Sequence, residues 1–380
     1  MNNLRFVNTL IKEMKSTFKN LEVIVLLLGG PIFLTLLFGG VYVNTYVEDI
    51  PIAVLDEDDS SMSRMIIQQF DENDRFNIRY HVKSKEELKK VIDTRQAHMG
   101  LYIPYNFANN VNTLRSAQAL IVVDGTNIVI GNNSFATAAN IIQTIAAGAQ
   151  IKLIEAKGVV PQLAENMAMV FHFNDRILYD SRMTYMNYLL LGFIAVFLQQ
   201  VILSGIGISV IKNGPHIAKD GTLLKIMINI LSTSIFALIS TLIAIKIASN
   251  IFKVPIRGNL LTAFLMCTIF IFAISGPAII IASIVKDKLK FAQISFMLSL
   301  PTFVSSGYVW PQEQMPASLT LIIKSFWPLI YFARPFDEVL FKGASLNVVL
   351  SSMFEMVIFT LIWLPISVWF LKKRFKTQTE

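Results

Sequence analysis

Charge is what this chain has least of. Only 16% of its 380 residues are Asp, Glu, Lys or Arg, against about 25% in an ordinary soluble domain. Hydrophobic residues make up 54%, and the mean hydropathy is +0.56. An average cytosolic enzyme is excluded by that balance, and so is a disordered chain, which could not keep so much apolar surface in water. Cys267 is the single cysteine, so neither an intrachain disulfide nor a multi-cysteine metal site can form. His81, His98, His172 and His216 are scattered without metal-ligand spacing. A phosphate-binding Gly-x4-Gly-Lys-Ser/Thr loop is absent, as are a dinucleotide fingerprint and a helical metalloprotease motif. Any ATP that drives this protein is therefore hydrolysed on another chain.

What the sequence does have is long apolar runs. Six approach the roughly 20 residues needed to cross a bilayer core of about 30 Å: Leu21–Val43, Tyr185–Ile211, Leu223–Phe252, Leu260–Val285, Leu289–Val309 and Val348–Leu371. The first is span-length with no small-residue cleavage site behind it, and is expected to be a retained helix rather than a signal peptide. Before it, Leu4, Val7, Ile11, Met14, Phe18 and Leu21 recur at steps of three and four, one stripe of a helix. Arg5, Lys12, Lys15 and Lys19 lie off that stripe. Residues 1–20 thus read as a basic amphipathic helix, resting on the inner membrane surface or on the protein's own cytoplasmic face. Lys and Arg in the connections then set orientation. With the N-terminus inside, fourteen basic residues fall on cytoplasmic segments and five on the short outer ones. Both termini, including the tail 372–380, are expected in the cytoplasm.

The formal net charge of +7 hides a division. Asn44–Arg182 holds 13 basic and 17 acidic residues, a net of −4, and the remainder carries +11. The basicity belongs to the membrane part, so nucleic acid is not an expected partner. Residues 44–182 read as a folded extracytoplasmic α/β domain. Ile50–Leu55, Phe76–Val82, His98–Ile103 and Ala119–Val123 are strand-like; Ser61–Phe70, Lys85–Thr94, Tyr105–Leu114 and Phe135–Lys157 are helical. A small sheet with helices on one side is expected. Between spans five and six, 310–346 is moderately apolar but broken by Pro311, Pro316, Pro328 and Pro335. Proline interrupts helices, which points to a re-entrant helical hairpin rather than one straight span.

Few residues stand out as chemistry-bearing. The run Asp56–Asp59 could hold a divalent cation, but Ser60 and Ser61 make a capped helix start a sufficient reading. Lys246 and Glu355 fall within spans, where charge marks a functional candidate; near the interface they could instead snorkel or pair. Gln199 and Gln200 lie mid-span, where amides bond across helices. Ser204, Gly205, Gly207 and Ser209 allow close helix approach. Gly29-Gly30-Pro31 and Ser275-Gly276-Pro277 should kink their spans, as packing features or as hinges.

Several segments together resemble a known family. Asp56-Glu57-Asp58-Asp59-Ser60-Ser61-Met62-Ser63-Arg64 is similar to the Asp-x-Asp-x-Ser-x-x-Ser-Arg segment that opens the outer domain of bacterial type-2 ABC exporter permeases. Val123-Asp124-Gly125-Thr126-Asn127 resembles that family's Asp-Gly-Ser/Thr motif. Phe173-Asn174-Asp175-Arg176 with Ser181 resembles its approach to span two, with Asp175 in place of the usual proline. Ile217-Ala218-Lys219-Asp220-Gly221-Thr222-Leu223-Leu224 resembles its ATPase-coupling segment, the usual glutamates reduced to Asp220. Ser306-Gly307-Tyr308-Val309-Trp310-Pro311, then Met315-Pro316, resembles its span-five signature.

The resemblance implies a polytopic α-helical membrane protein of six spans with an extracytoplasmic α/β domain, and no catalytic or metal site of its own. ATP and Mg would sit on a partner ABC ATPase subunit, and a second permease, identical or homologous, would complete the pathway within membrane lipid. Lys212, Lys219, Asp220, Gly221 and Thr222 become coupling candidates. Gly29, Gly30, Pro31, Gly205, Gly207, Gly276 and Pro277 become hinge or packing candidates. Ser306, Gly307, Trp310, Pro311, Met315 and Pro316 become gate candidates. An ion-coupled carrier or a membrane-anchored receptor are the competing readings. The first often shows internal repeats and charged mid-membrane sites, and the second needs fewer spans.

Overall fold

The computed structural model describes residues 3–19, 24–44, 46–113, 115–169, 176–181, 183–218, 222–285 and 287–376. They fall into two compact units, one made of Met1–Thr45 with Ile177–Glu380 and the other of Tyr46–Arg176.

The first unit is helical. After α1 (Asn3–Lys19) come a π-helical turn (Val25–Gly29) and α2 (Gly30–Val41). Past the second unit's residues lie α8 (Tyr185–Ile217), α9 (Thr222–Asn250), α10 (Leu260–Ile284), α11 (Lys288–Val304), α12 (Ala317–Phe326), α13 (Leu329–Asp337) and α14 (Leu346–Lys376). Four of these, α8, α9, α10 and α14, are long and apolar enough to cross a membrane. Val25–Val41 and α11 are each 17 residues, about 25 Å at 1.5 Å per residue, somewhat less than the hydrocarbon thickness. The first of the six expected spans starts at Leu21, and residues 20–23 lie outside the described ones. The fifth stops as a helix at Val304 because the chain turns at Gly307, whose φ of +82° only glycine adopts readily.

α8 is the hub, packing against α2, α9, α10, α11 and α13. It starts where the Thr184 hydroxyl accepts from Asn187 N–H, and it passes through Pro215 without ending. α10 begins on Asn259 and α11 on Asp287 through equivalent side-chain caps. α1 lies against α9 while Val7 and Ile11 stay exposed, so its apolar stripe is only partly used by the protein. The connection forms two short helices, α12 and α13, begun at Pro316 and Pro328, while Pro335 lies within α13 without ending it.

The second unit holds β1 (Ile50–Asp56), α3 (Ser61–Asp71), β2 (Phe76–His81), α4 (Lys85–Asp93), β3 (Met99–Ile103), α5 (Phe107–Asn112), β4 (Leu120–Val123), α6 (Ile128–Glu155) and α7 (Pro161–Ala168). The sheet runs β2-β1-β3-β4, parallel except for the antiparallel β4 edge. The expectation of helices on one side is corrected here. Ile50, Ile52 and Val54 pack with Ile66 and Phe70 of α3 and Ala138 of α6. Ala53 and Leu55, pointing the other way, pack with Leu88 and Val91 of α4. The unbroken apolar run of β1 is that of a strand buried on both faces. The long helix also begins seven residues earlier than expected, because the Asn127 side chain accepts from Val129 and Ile130 N–H.

Candidate functional site

The polar residues of α8 organise the first unit's interior. Gln199 is fully buried. It donates to Thr302 Oγ1 of α11 (3.1 Å) and accepts from Trp327 Nε1 (2.7 Å), fastening α8 to α11 and to the α12–α13 junction. Gln200, one residue on, donates to Ser295 Oγ (3.2 Å) and accepts from Ser299 Oγ on α11. Each amide thus has its donor and acceptor used across helices, which is what burial of such a group demands.

Small residues set how close the helices come. A Cβ on Gly207 would stand 2.0 Å from the Phe291 ring, and one on Gly205 would stand 2.6 Å from Thr233 Cγ2 and 3.0 Å from Leu27. On α10, a Cβ on Gly276 would meet Trp363 Cβ at 2.9 Å; Pro277 lies buried inside a helix that continues past it. Gly29 closes the π-helical turn, while Gly30 and Pro31 open α2. The backbone stays helical through Gly29 and Gly30, so Pro31 sits just past the π-helical turn inside one continuous segment, Val25–Val41, and the irregular turn falls where the proline lacks an N–H.

Between the Val25–Val41 segment, α8 and α11 there is a cavity of about 720 Å³. Leu26, Leu34, Phe197, Phe296 and Met297 give it apolar walls, and Gln200, Gln293 and Ser204 supply polar points. Phe296, Met297 and Leu300 on the same helix are 69–74% exposed. The volume and lining suit an apolar guest oriented by a few hydrogen bonds.

A second group closes the end of α11. Ser306 is buried and donates to Phe303 O (2.7 Å). Gly307 is crowded by Gln312, whose amide donates to Ile330 O (3.1 Å). Pro311 and Pro316 flank a short 3-10 turn that carries Met315 at its end, and Trp310 is more than half exposed. Tyr308 and Tyr188 hold one another: the Tyr188 hydroxyl donates to Tyr308 O (2.9 Å), and the Tyr308 hydroxyl donates to Tyr188 O. Their rings stack at 5.6 Å, and the Tyr308 ring covers Gly192.

A family model described as ABC-2 family transporter protein matches residues 22–369. The chain belongs to the ABC-2 transporter family. It is 24% identical over 327 residues to the probable multidrug ABC transporter permease YbhR of Escherichia coli strain K12, covering 83% of this chain and 84% of that protein. The probable multidrug ABC transporter permease YbhS of the same organism is 28% identical over 117 residues, 30% of each chain. ABC transporter G family member 20 of Dictyostelium discoideum is 24% identical over 110 residues, 29% of this chain and 15% of that one. The family that the motifs resemble is the family found.

For an ABC-2 protein the turn after α8 is of interest. Lys212 is exposed on the last turns of α8, and buried Thr222 donates to Ala218 O (3.1 Å). Lys225 Nζ donates to His216 O (2.6 Å), so α9 closes back on the end of α8. Lys219, Asp220 and Gly221 lie outside the described residues, as do Phe173-Asn174-Asp175. Lys246 and Glu355 are both exposed, and among the described residues no ion pair joins them. The acidic run is used internally: Asp56 accepts from Asp58 N–H, Asp59 N–H and the Ser63 hydroxyl, and Ser60 caps α3. Among the described residues no cluster suited to a metal ion occurs. Composition could flag Gln199 and Gln200, but their partners Thr302, Trp327, Ser295 and Ser299 lie about a hundred residues away and carry no local signal.

Proposed function

We propose that this chain is the permease subunit of an ATP-driven exporter that moves a hydrophobic or amphiphilic compound out of the cell. In this reading Val25–Val41 and α11 join the four long helices as six spans. Both termini are cytoplasmic, residues 44–182 lie outside the cell membrane, and α12 and α13 dip into the outer leaflet. A partner ATPase carries ATP and Mg and docks at the Lys212–Thr222 turn and on α1. A second permease faces α2, α8 and α11, so that two cavities join into one pathway that opens as the halves rock.

The observation that carries this reading is the 720 Å³ apolar cavity with Gln200 on its wall, beside an unpartnered apolar face of α11. It is supported by family membership and by relatives whose names describe multidrug permeases.

The test is purification followed by vesicle transport. The chain should bring down a nucleotide-binding subunit, and reconstituted vesicles should move an amphiphilic dye only with ATP. Met297→Trp, which fills the cavity, should cut transport while ATPase binding persists. Lys219→Ala with Asp220→Ala should keep insertion and lose ATP coupling. Dye movement without ATP, or full transport by the filled cavity, would overturn the proposal.

A further inference from the structure

A second cavity of about 710 Å³ shares no lining residue with the first. One wall is made by residues 177–180 and 183–188; the others come from residues 307–313 and 334–342. Tyr179, Tyr185, Tyr188 and Tyr308 supply aromatic surface. Arg257 ties the walls, donating to Tyr179 O (2.7 Å) and Phe341 O (2.9 Å), and it already covers the Phe341 ring. Tyr308 is buried, stacked on Tyr188 and Phe303 and set over Gly192, so the aromatic surface left to a guest is that of Tyr179, Tyr185 and Tyr188. Tyr179 and Met183 hold left-handed backbone, φ 68° and 47°, a strained conformation that the packing around it must sustain.

The charges in this cavity are not evenly matched. Arg334 pairs with Glu313 (3.4 Å) and Glu338 (3.3 Å), and Lys342 pairs with Glu338 (3.3 Å). Asp180 accepts from Thr184 N–H (2.9 Å) and from the Thr184 hydroxyl (3.1 Å) at the start of α8. Asp337 is left over. It is partly buried, it lies 3.3 Å from the Tyr308 hydroxyl, and among the described residues no lysine or arginine forms an ion pair with it. A carboxylate withdrawn from water without a cation is costly, so either a proton or a positive guest must complete it. A bare metal ion does not fit, because no cluster of three ligating residues exists among the described residues and the walls are tyrosine rings. Tyrosine faces beside one carboxylate favour an ammonium group with an organic body.

We propose that this cavity is a binding site for organic cations, with Asp337 as the counter-ion and Tyr179, Tyr185 and Tyr188 as the cage. The assignment stands on this cavity alone and does not depend on ATP, a partner chain or the transport reading.

The test is calorimetric titration of the full-length chain in a non-ionic detergent with benzyltrimethylammonium, and with benzenesulfonate as the anionic comparison. The wild type should bind the ammonium saturably and the sulfonate not at all. Asp337→Asn keeps the shape, and should weaken the ammonium roughly tenfold or more. Tyr185→Leu leaves the carboxylate in place and should weaken it several-fold, which keeps the proposal testable if the Asp337 variant fails to fold. Lys89→Ala, in the other unit and outside both cavities, should change nothing. Absence of saturable ammonium binding, wild-type affinity in both the Asp337 and the Tyr185 variants, or preference for the sulfonate would each overturn the proposal.

Discussion

Packing of α11 onto α8 through Gly207 makes a quantitative prediction. A methyl group at Gly207 would lie 2.0 Å from the tip of Phe291, which is fully buried. Carbon contacts settle at about 3.5–4.0 Å, so the ring or the helix must retreat by about 1.5 Å. Overpacking of that order costs about 1–3 kcal/mol. Alanine also favours helix over glycine by about 1 kcal/mol, which would mask part of the loss. Gly40→Ala on α2 isolates that term, since nothing lies within 4 Å of its new methyl. In a denaturing-detergent titration, Gly207→Ala should therefore fall below Gly40→Ala by about 1–3 kcal/mol. Phe291→Leu removes all three ring atoms nearest Gly207, and the double variant Gly207→Ala with Phe291→Leu should recover at least about 1 kcal/mol of the summed losses. Additivity of the two changes within about 0.5 kcal/mol would refute the contact.

Three further outcomes follow from the contacts described. Gln199→Leu strands the Trp327 indole N–H and should lower stability by about 1–3 kcal/mol, read as a lower melting temperature of the detergent-solubilised chain. Residues 46–176, with two hydrophobic clusters of their own, should be soluble and folded when expressed alone, with Phe70→Ala costing about 3–5 kcal/mol in urea unfolding; a random-coil circular dichroism spectrum would contradict this. The Asp124 carboxyl is held below its ordinary value by the Thr126 N–H, then by the Thr126 hydroxyl and by His98. Its stabilisation is present above the unfolded value and disappears as pH falls through the folded one. Thr126→Val should raise the Asp124 midpoint in an NMR titration of that domain.

Local pattern carried much of the α/β unit. β2, whose residues alternate between faces, and β1, whose run is apolar throughout, occupy the stretches expected of them, and Ser60 caps the helix that follows the acidic run. Two-sided burial of β1 was also written there, in the apolar residues of both parities, but a one-sided sheet was expected. The start of α6 was misplaced because Asn127 acts through a cap, which leaves no hydrophobic period. In the helical unit, hydropathy located the four long helices, and Gly205, Gly207 and Gly276 the close approaches. Partners separated by about a hundred residues could not be read: Gln199 with Trp327, Gly192 under Tyr308, and Tyr188 with Tyr308 depend on how helices of similar composition are arranged.

The position of Leu27 bears on how the protein is made. Leu27 is fully buried against α8 and α9, near Gly205 and Thr233, and Leu28 O accepts from the Ser240 hydroxyl (3.3 Å). Yet residues 46–176 must leave the ribosome before any of those neighbours exists. For that interval the first apolar segment is without these neighbours, and among the described residues its Thr35 hydroxyl has no hydrogen-bond partner even once packing is complete. Biogenesis is accordingly a late event, in which an early-born helix is claimed by companions synthesised well after it.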